Sequence, residues 1–151
     1  MPSAPAASRG RTDVGFTHVA LAVRDVDASI VFYARYAKMT VVHRRGKDGT
    51  RVVWLSDLTR PFVLVLLEAD ELEGRLGGSA HLGVCCESRE EVDRLCDLAR
   101  REKCLARGPT DSGYPVGYWA LLHDPDGHNL EISHGQEVGV AVGEASDPTR
   151  A

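Results

Sequence analysis

The feature that most restricts this chain is that it reads as two copies of one unit. Phe16-Thr-His-Val-Ala-Leu-Ala-Val23 has the apolar, β-branched make-up of a buried strand, and so does Ala80-His-Leu-Gly-Val-Cys-Cys86. Displacing the sequence by 63 positions lays His18 on His81 and Phe32 on Leu95. Each strand is followed by a helix start. Asp25-Val-Asp27 offers capping carboxylates before a helix over about 28–37, with Ile30, Phe32, Tyr33 and Tyr36 available to its inner side. Ser88-Arg-Glu-Glu91 has the S-x-x-E form of a capping box, and Val92, Leu95, Cys96 and Ala99 then recur at helical spacing to about Glu102. Strands are predicted at 40–45, 50–56 and 61–68, and again near 104–107, 117–122 and 129–134. Lys47-Asp-Gly49, Asp57-Leu-Thr-Arg60 and Asp124-Pro-Asp-Gly127 read as their hairpin connections.

One helix on one open sheet leaves an apolar face uncovered, so neither half is stable alone and the halves must share a core. The expected fold is therefore α+β: two βαβββ modules, about 14–69 and 79–134, forming a cupped, partly closed mixed β-sheet with the helices outside. They make a single domain over 14–136, between an N-terminal tail of residues 1–13 and a C-terminal tail of 137–151. A length of 151 residues suits one such domain.

Composition removes several function classes. The chain is 43% hydrophobic and 26% charged, and its net charge of −4 spreads over mixed-sign segments without a basic stripe, which argues against nucleic acid as a partner. Its longest apolar run, Phe62 to Leu67, is far below the roughly 20 residues of a membrane span. The opening MPSAPAASRGRTD lacks the apolar core of a secretory signal, so a flexible tail and a cytoplasmic location are expected. Cys85, Cys86, Cys96 and Cys104 form no CxxC pair and read as buried thiols.

His18 and His81 hold the same place in the two opening strands, and Glu131 lies in the last strand of the second half. If the two sheets face each other about a pseudo-twofold axis, these side chains converge in the shared concavity. Two imidazoles and one carboxylate form a facial triad that leaves coordination positions open for substrate, and for dioxygen when iron is bound. Alternation puts Gly83 and Cys85 on the face of His81, and Ser133 on that of Glu131. Trp54, Cys85, Trp119 and Leu121 are candidate pocket walls, with simple core packing as the other reading of the Trp and Leu side chains. His123 shares strand parity with Glu131 and is a candidate acid or base, whereas His43, His128 and His134 read as surface or turn residues. The segment 108–117, dense in Gly and Pro, is a lid or an ordinary surface loop. Arg51 offers an anion contact from the third strand, or is simply solvated.

Phe16-Thr-His-Val-Ala-Leu-Ala-Val, Ser29-Ile-Val-Phe-Tyr33, His81-Leu-Gly-Val and Asp124-Pro-Asp-Gly-His-Asn-Leu-Glu131 resemble the vicinal oxygen chelate superfamily of glyoxalases, bleomycin-resistance proteins and extradiol dioxygenases. The resemblance runs over about 14–136. It implies that His18, His81 and Glu131 hold one divalent metal, with iron(II) preferred over nickel, zinc, cobalt or manganese. Glyoxalase-like members take a fourth ligand from the last strand of the first half. Glu68 fills that place if the halves align without a gap, and Leu64 or Val65 fills it if their hairpins are aligned. Ring-cleaving members carry a Tyr ten residues before the metal Glu and a His in the preceding loop, but here Leu121 stands at that position and 110–116 contains no His. Phosphonate-binding resistance members carry a basic residue beyond the Glu, and 135–144 has none. The implied function is a metal-dependent enzyme that chelates a small oxygenated substrate, with dioxygenase-like or isomerase/lyase chemistry in which Glu68 and His123 are the candidate catalytic side chains. The alternative is a metal-free protein that sequesters an aromatic drug or metabolite. Relatives commonly pair, sometimes exchanging halves, so a homodimer is expected.

Overall fold

Capping fixes where both long helices begin. In the computed structural model, which describes residues 15–150, α1 runs Val26–Ala37 and α2 runs Arg89–Arg101. The Asp25 carboxylate accepts from the N–H groups of Asp27 and Ala28, and the Ser88 hydroxyl accepts from that of Glu91, so first-turn donors that the helices leave unpaired are satisfied. One side of α1 buries Val26, Ser29, Phe32, Tyr33, Tyr36 and Ala37, and one side of α2 buries Val92, Leu95, Cys96 and Ala99. The expected tail of residues 1–13 lies outside the described residues.

The first module adds β1 (His18–Val23), β2 (Thr40–Arg45), β3 (Val52–Ser56) and β4 (Val63–Glu68), ordered β1-β4-β3-β2. The second adds β5 (Leu82–Cys85), β6 (Leu105–Asp111), β7 (Tyr118–His123) and β8 (Asn129–His134), ordered β5-β8-β7-β6. In each sheet the opening strand runs parallel to the closing one and the other pairs are antiparallel. The α+β class and the two βαβββ modules are as the sequence predicts. Strand pairing stays within each module, so the cup consists of two four-stranded sheets that are not closed into a barrel.

Alternation sorts each sheet into two faces. Leu21, Val23, Val53, Leu55, Leu64 and Leu66 point into the core, as do Ala120, Leu122, Leu130 and Ile132 of the second sheet, and all join one cluster with the helices. Fully burying each Leu or Ile contributes about 1.5–3 kcal/mol. The opposite faces carry Ala20, Val65 and Trp54 in the first sheet and Gly83, Glu131 and Leu121 in the second, each trio aligned across neighbouring strands.

The modules are locked together by the turn between β7 and β8. Asp124 accepts from the Tyr33 hydroxyl at 2.9 Å and from the N–H groups of Asp126 and His128, while Asp126 accepts from the N–H of Arg24. His128, predicted as a surface or turn residue, is 2% exposed: Nδ1 accepts from the N–H of Leu76, so Nε2–H donates to the carbonyl of Ala22 at 2.9 Å. Asp124-Pro-Asp-Gly-His128 is thus a joint as well as a hairpin.

Three further expectations need correction. Only Cys96 of the four thiols is fully buried, and Cys85 is exposed because it stands on the open sheet face. The segment 108–117 is not all loop, since β6 continues to Asp111 and pairs Thr110 with Trp119. The C-terminal segment forms a helix, α3 (Val138–Ala145), with no buried residue.

Candidate metal centre

His81 directly precedes β5, and Gly83 of that strand lies beside Glu131 of β8. The register therefore sets the imidazole and the carboxylate on one face, with His81 Nε2 and Glu131 Oε2 3.6 Å apart. His81 Nδ1 lies 2.8 Å from the carbonyl oxygen of Ser79. A carbonyl only accepts, so Nδ1 carries a proton, and in the neutral imidazole the Nε2 lone pair faces Glu131. Metal bonds of about 2.0–2.2 Å set neighbouring ligand atoms about 3–3.5 Å apart, so this pair fits a divalent cation with only a small adjustment.

Two side chains that the sequence reading did not single out brace the pair. Gln136, just after β8, donates from Nε2 to Glu131 Oε1 at 2.7 Å and leaves Oε2 facing His81. Asn129 donates to the carbonyls of Gly78 and Ala80, each at 3.1 Å, and so fixes the chain that delivers His81. Glu131 is 7% exposed. A buried carboxylate needs charge-matched or hydrogen-bonding partners, and Gln136 and the neighbouring His81 are the ones that flank Glu131. An added Cβ at Gly83 would meet nothing within 4 Å, so the space beside Glu131 is open. Gln136 carries no sequence signal beyond nearness to Glu131, whereas Asn129 stands inside the Asp-Pro-Asp-Gly-His-Asn-Leu-Glu motif that ends at Glu131.

His18 does not join this pair within one chain. It is exposed on the open face of the first sheet with Nδ1 2.9 Å from the Thr17 hydroxyl, and no group of three or more His, Cys, Asp or Glu that could hold a metal occurs among the described residues. The modules meet through α1 and the β7–β8 turn rather than sheet against sheet, which keeps the two open faces apart.

Glu68 is held elsewhere. Its carboxylate accepts from the Arg51 guanidinium, with Nη2 at 2.5 Å, and from the N–H of Gly49, and Arg51 also binds Asp27. This pairing draws the Glu68 carboxyl down to about 2, chiefly through the Arg51 hydrogen bonds. Arg51, considered above as an anion contact, is consumed by the same pair. Ala20 pairs with Val65 as Gly83 pairs with Glu131, so Val65 is the first-module counterpart of Glu131. The ungapped repeat fails here because Val65 and Glu131 are 66 positions apart while the opening strands are 63 apart.

Of the predicted pocket residues, Leu121 pairs directly with Glu131, and Cys85 and Trp119 both flank Ser133 one row along. Trp54 stands on the first sheet's open face, 38% exposed and 4.9 Å from the His43 ring. His123 lines a separate crevice of about 370 Å³ with Val31, Phe32 and Lys103, and neither His81 nor Glu131 borders it.

Comparison with known proteins agrees with this architecture. The chain is 37% identical over 126 residues to an uncharacterised protein of Pseudomonas aeruginosa, covering 82% of this chain and 90% of that one. The fosfomycin resistance protein FosX of Listeria monocytogenes, in a structure complexed with Mn(II) and a dihydroxypropylphosphonic acid, superposes with a TM-score of 0.67 at 17% identity, covering 87% of this chain and 99% of that one. The trypanothione-dependent glyoxalase I of Leishmania major gives a TM-score of 0.62 at 22% identity, covering 91% and 98%. These two likenesses establish the fold. Residues 15–132 match the sequence profile of one family across both modules, and the chain belongs to the glyoxalase/bleomycin resistance protein/dioxygenase superfamily.

Proposed function

We propose that this protein is a metal-dependent enzyme whose centre is completed between two copies of the chain, with His81 and Glu131 from one copy and His18 from the other. The observation that carries the reading is the His81–Glu131 pair, 3.6 Å apart on an open sheet face, which supports a cation shared between them. His18 stands on the other module's open face, so a second copy laid sheet to sheet supplies the missing imidazole and covers both faces. A divalent metal bound there supplies Lewis-acid polarisation of substrate oxygens. The chain itself does the rest: Ser79 and Gln136 orient the two ligands, Gly83 leaves room for substrate, and Leu121, Trp119 and the opposing Trp54 exclude water.

Val65 in place of a second carboxylate leaves two imidazoles and one carboxylate, a set suited to iron(II) or manganese(II) with several positions open to substrate. That favours a substrate chelated through two oxygens, with oxygenase-like chemistry if iron is the resident metal and isomerase or lyase chemistry otherwise. The fold likeness to FosX, whose structure carries Mn(II), and to a glyoxalase I supports the class without choosing the reaction.

The test is complementation between two defective chains. His18→Ala and Glu131→Ala homodimers are each expected to lose metal when purified anaerobically and analysed for elements. Unfolding and refolding them together restores metal to the mixture, because each mixed dimer keeps one intact site. No metal in the wild type after reconstitution would overturn the reading and leave the metal-free sequestration of an aromatic ligand by these same Trp and Leu walls. Metal in the wild type without complementation would place all three ligands in one chain.

A further inference from the structure

Arg107 lies in the same cross-strand row as the candidate ligand Glu131. Glu131 pairs with Leu121, and Leu121 pairs with Arg107, so the three side chains rise from one face of the second sheet. Two strand spacings separate Arg107 from Glu131, which is about 10 Å. The row is interrupted around Arg107 in a specific way. The β6–β7 register shifts between Leu105 and Arg107 and again between Arg107 and Thr110, two irregularities that bend the edge strand and re-aim the side chain between them. Gly108 follows with φ +93°, and a Cβ there would sit 2.9 Å from the carbonyl oxygen of Trp119, so the strand approaches β7 too closely for any other residue.

The guanidinium that results is supported but unpaired. Its central carbon lies 5.2 Å from the Trp119 ring centre, and the indole N–H is itself anchored by the Ser112 hydroxyl at 2.9 Å. Among the described residues Arg107, like Arg44, Arg45, Arg60, Arg75 and Arg101, has no carboxylate partner, and what sets it apart is its seat over Trp119 in the row of Glu131. A guanidinium over an aromatic ring, with no carboxylate of its own, has N–H donors free for the two oxygens of a carboxylate.

We infer that Arg107 binds a distal carboxylate of the substrate, and that the substrate class is an elongated organic acid: two adjacent oxygens at one end for the metal, an apolar middle over Leu121 and Trp119, and an anionic group at the other end. This rests on the metal-dependent reading above. Arg107 is a specificity-determining residue in this assignment, remote from the reacting atoms.

The experiment uses full-length protein loaded with Co(II), whose visible absorption reports ligand exchange at the metal. The probes are 2-hydroxyadipate and 2-hydroxyhexanoate, which share chain length and chelating end and differ only at the far carboxylate. Wild type is expected to bind the diacid on the order of tenfold to a hundredfold more tightly, the range expected of one charge-assisted hydrogen-bonded contact. Arg107→Gln is expected to bind both acids alike, with unchanged affinity for 2-hydroxyhexanoate showing that the pocket is intact. Failure of the wild type to take up Co(II) would overturn the metal reading and this assignment with it. Co(II) uptake with equal affinity for the two acids, or a preference that survives Arg107→Gln, would overturn the assignment of Arg107 alone.

Discussion

The two modules share a topology and differ in what their open faces carry. The first presents Ala20, Val65, Trp54 and Leu67, with His18 at one end and His43 and Arg45 along the β2 edge; the second presents His81, Glu131, Cys85 and Arg107 around the gap left by Gly83. The copies thus divide: the first centres on an apolar wall around Val65 and Trp54, the second on a paired imidazole and carboxylate. Strand alternation allows this division, because the core-facing residues of both sheets stay apolar while the outward set changes freely.

That division can be broken in order of expected effect. Gln136→Ala frees the Glu131 carboxylate to rotate, and it is expected to weaken metal binding about 10- to 100-fold in a competition titration, the usual range for losing a ligand's supporting hydrogen bond. Trp54→Ala, on the wall module, is expected to leave metal affinity unchanged; an equal loss from both variants would mean that the faces are not specialised.

The next test concerns the joint between the modules. Tyr33→Phe removes the hydroxyl that donates to the buried Asp124, and urea unfolding is expected to show a loss of about 1–2 kcal/mol. Its counterpart at the 63-residue offset is Cys96, a buried thiol, so this bond has no equivalent at that position of α2, although Tyr36 of α1 also donates to Glu102 at the end of α2. A stability unchanged by Tyr33→Phe would remove this bond from the account of how the modules are held.

The smallest effect concerns the end of β4. Glu68 titrates near 2 because of Arg51, well below its ordinary value of 4.5. A depressed carboxyl stabilises the fold above its unfolded pKa, and that contribution is lost as pH falls through the folded one. Wild-type stability is therefore expected to fall more than that of Glu68→Gln between about pH 4.5 and 2, a difference readable by thermal melts across that window. Parallel curves for the two proteins would show that the ion pair adds nothing.

Much of the fold was legible because its signals are local. Asp25 and Ser88 capped the two helices as predicted, and the apolar spacing of Val92, Leu95, Cys96 and Ala99 marked the buried side of α2. The candidate ligands His81 and Glu131 were equally readable, since a polar residue at an outward position of an apolar strand stands out against its pattern. Glu68 was harder to judge: the repeat pointed to it until the three-residue difference between the modules gave its place to Val65. Arg107 carried no pattern at all, because a residue between two register irregularities has no fixed parity in the sequence.

The sequence by itself determined the two modules, the starts of their helices, and which strand residues turn outward, since capping and alternation depend on neighbours a few positions away. Only the tertiary structure decided how the modules meet. A handful of long-range bonds from Asp124, Asp126 and His128 to Tyr33, Arg24 and Ala22 set them joined at the turn and not face to face. Strand pairing inside the second sheet brings His81 to Glu131 and sets Arg107 beside Trp119, while the joint leaves His18 on a separate face through contacts that bridge the two modules. Such contacts lie roughly a hundred residues apart in the chain, where periodicity carries no information and only the competition among packed side chains selects the partner.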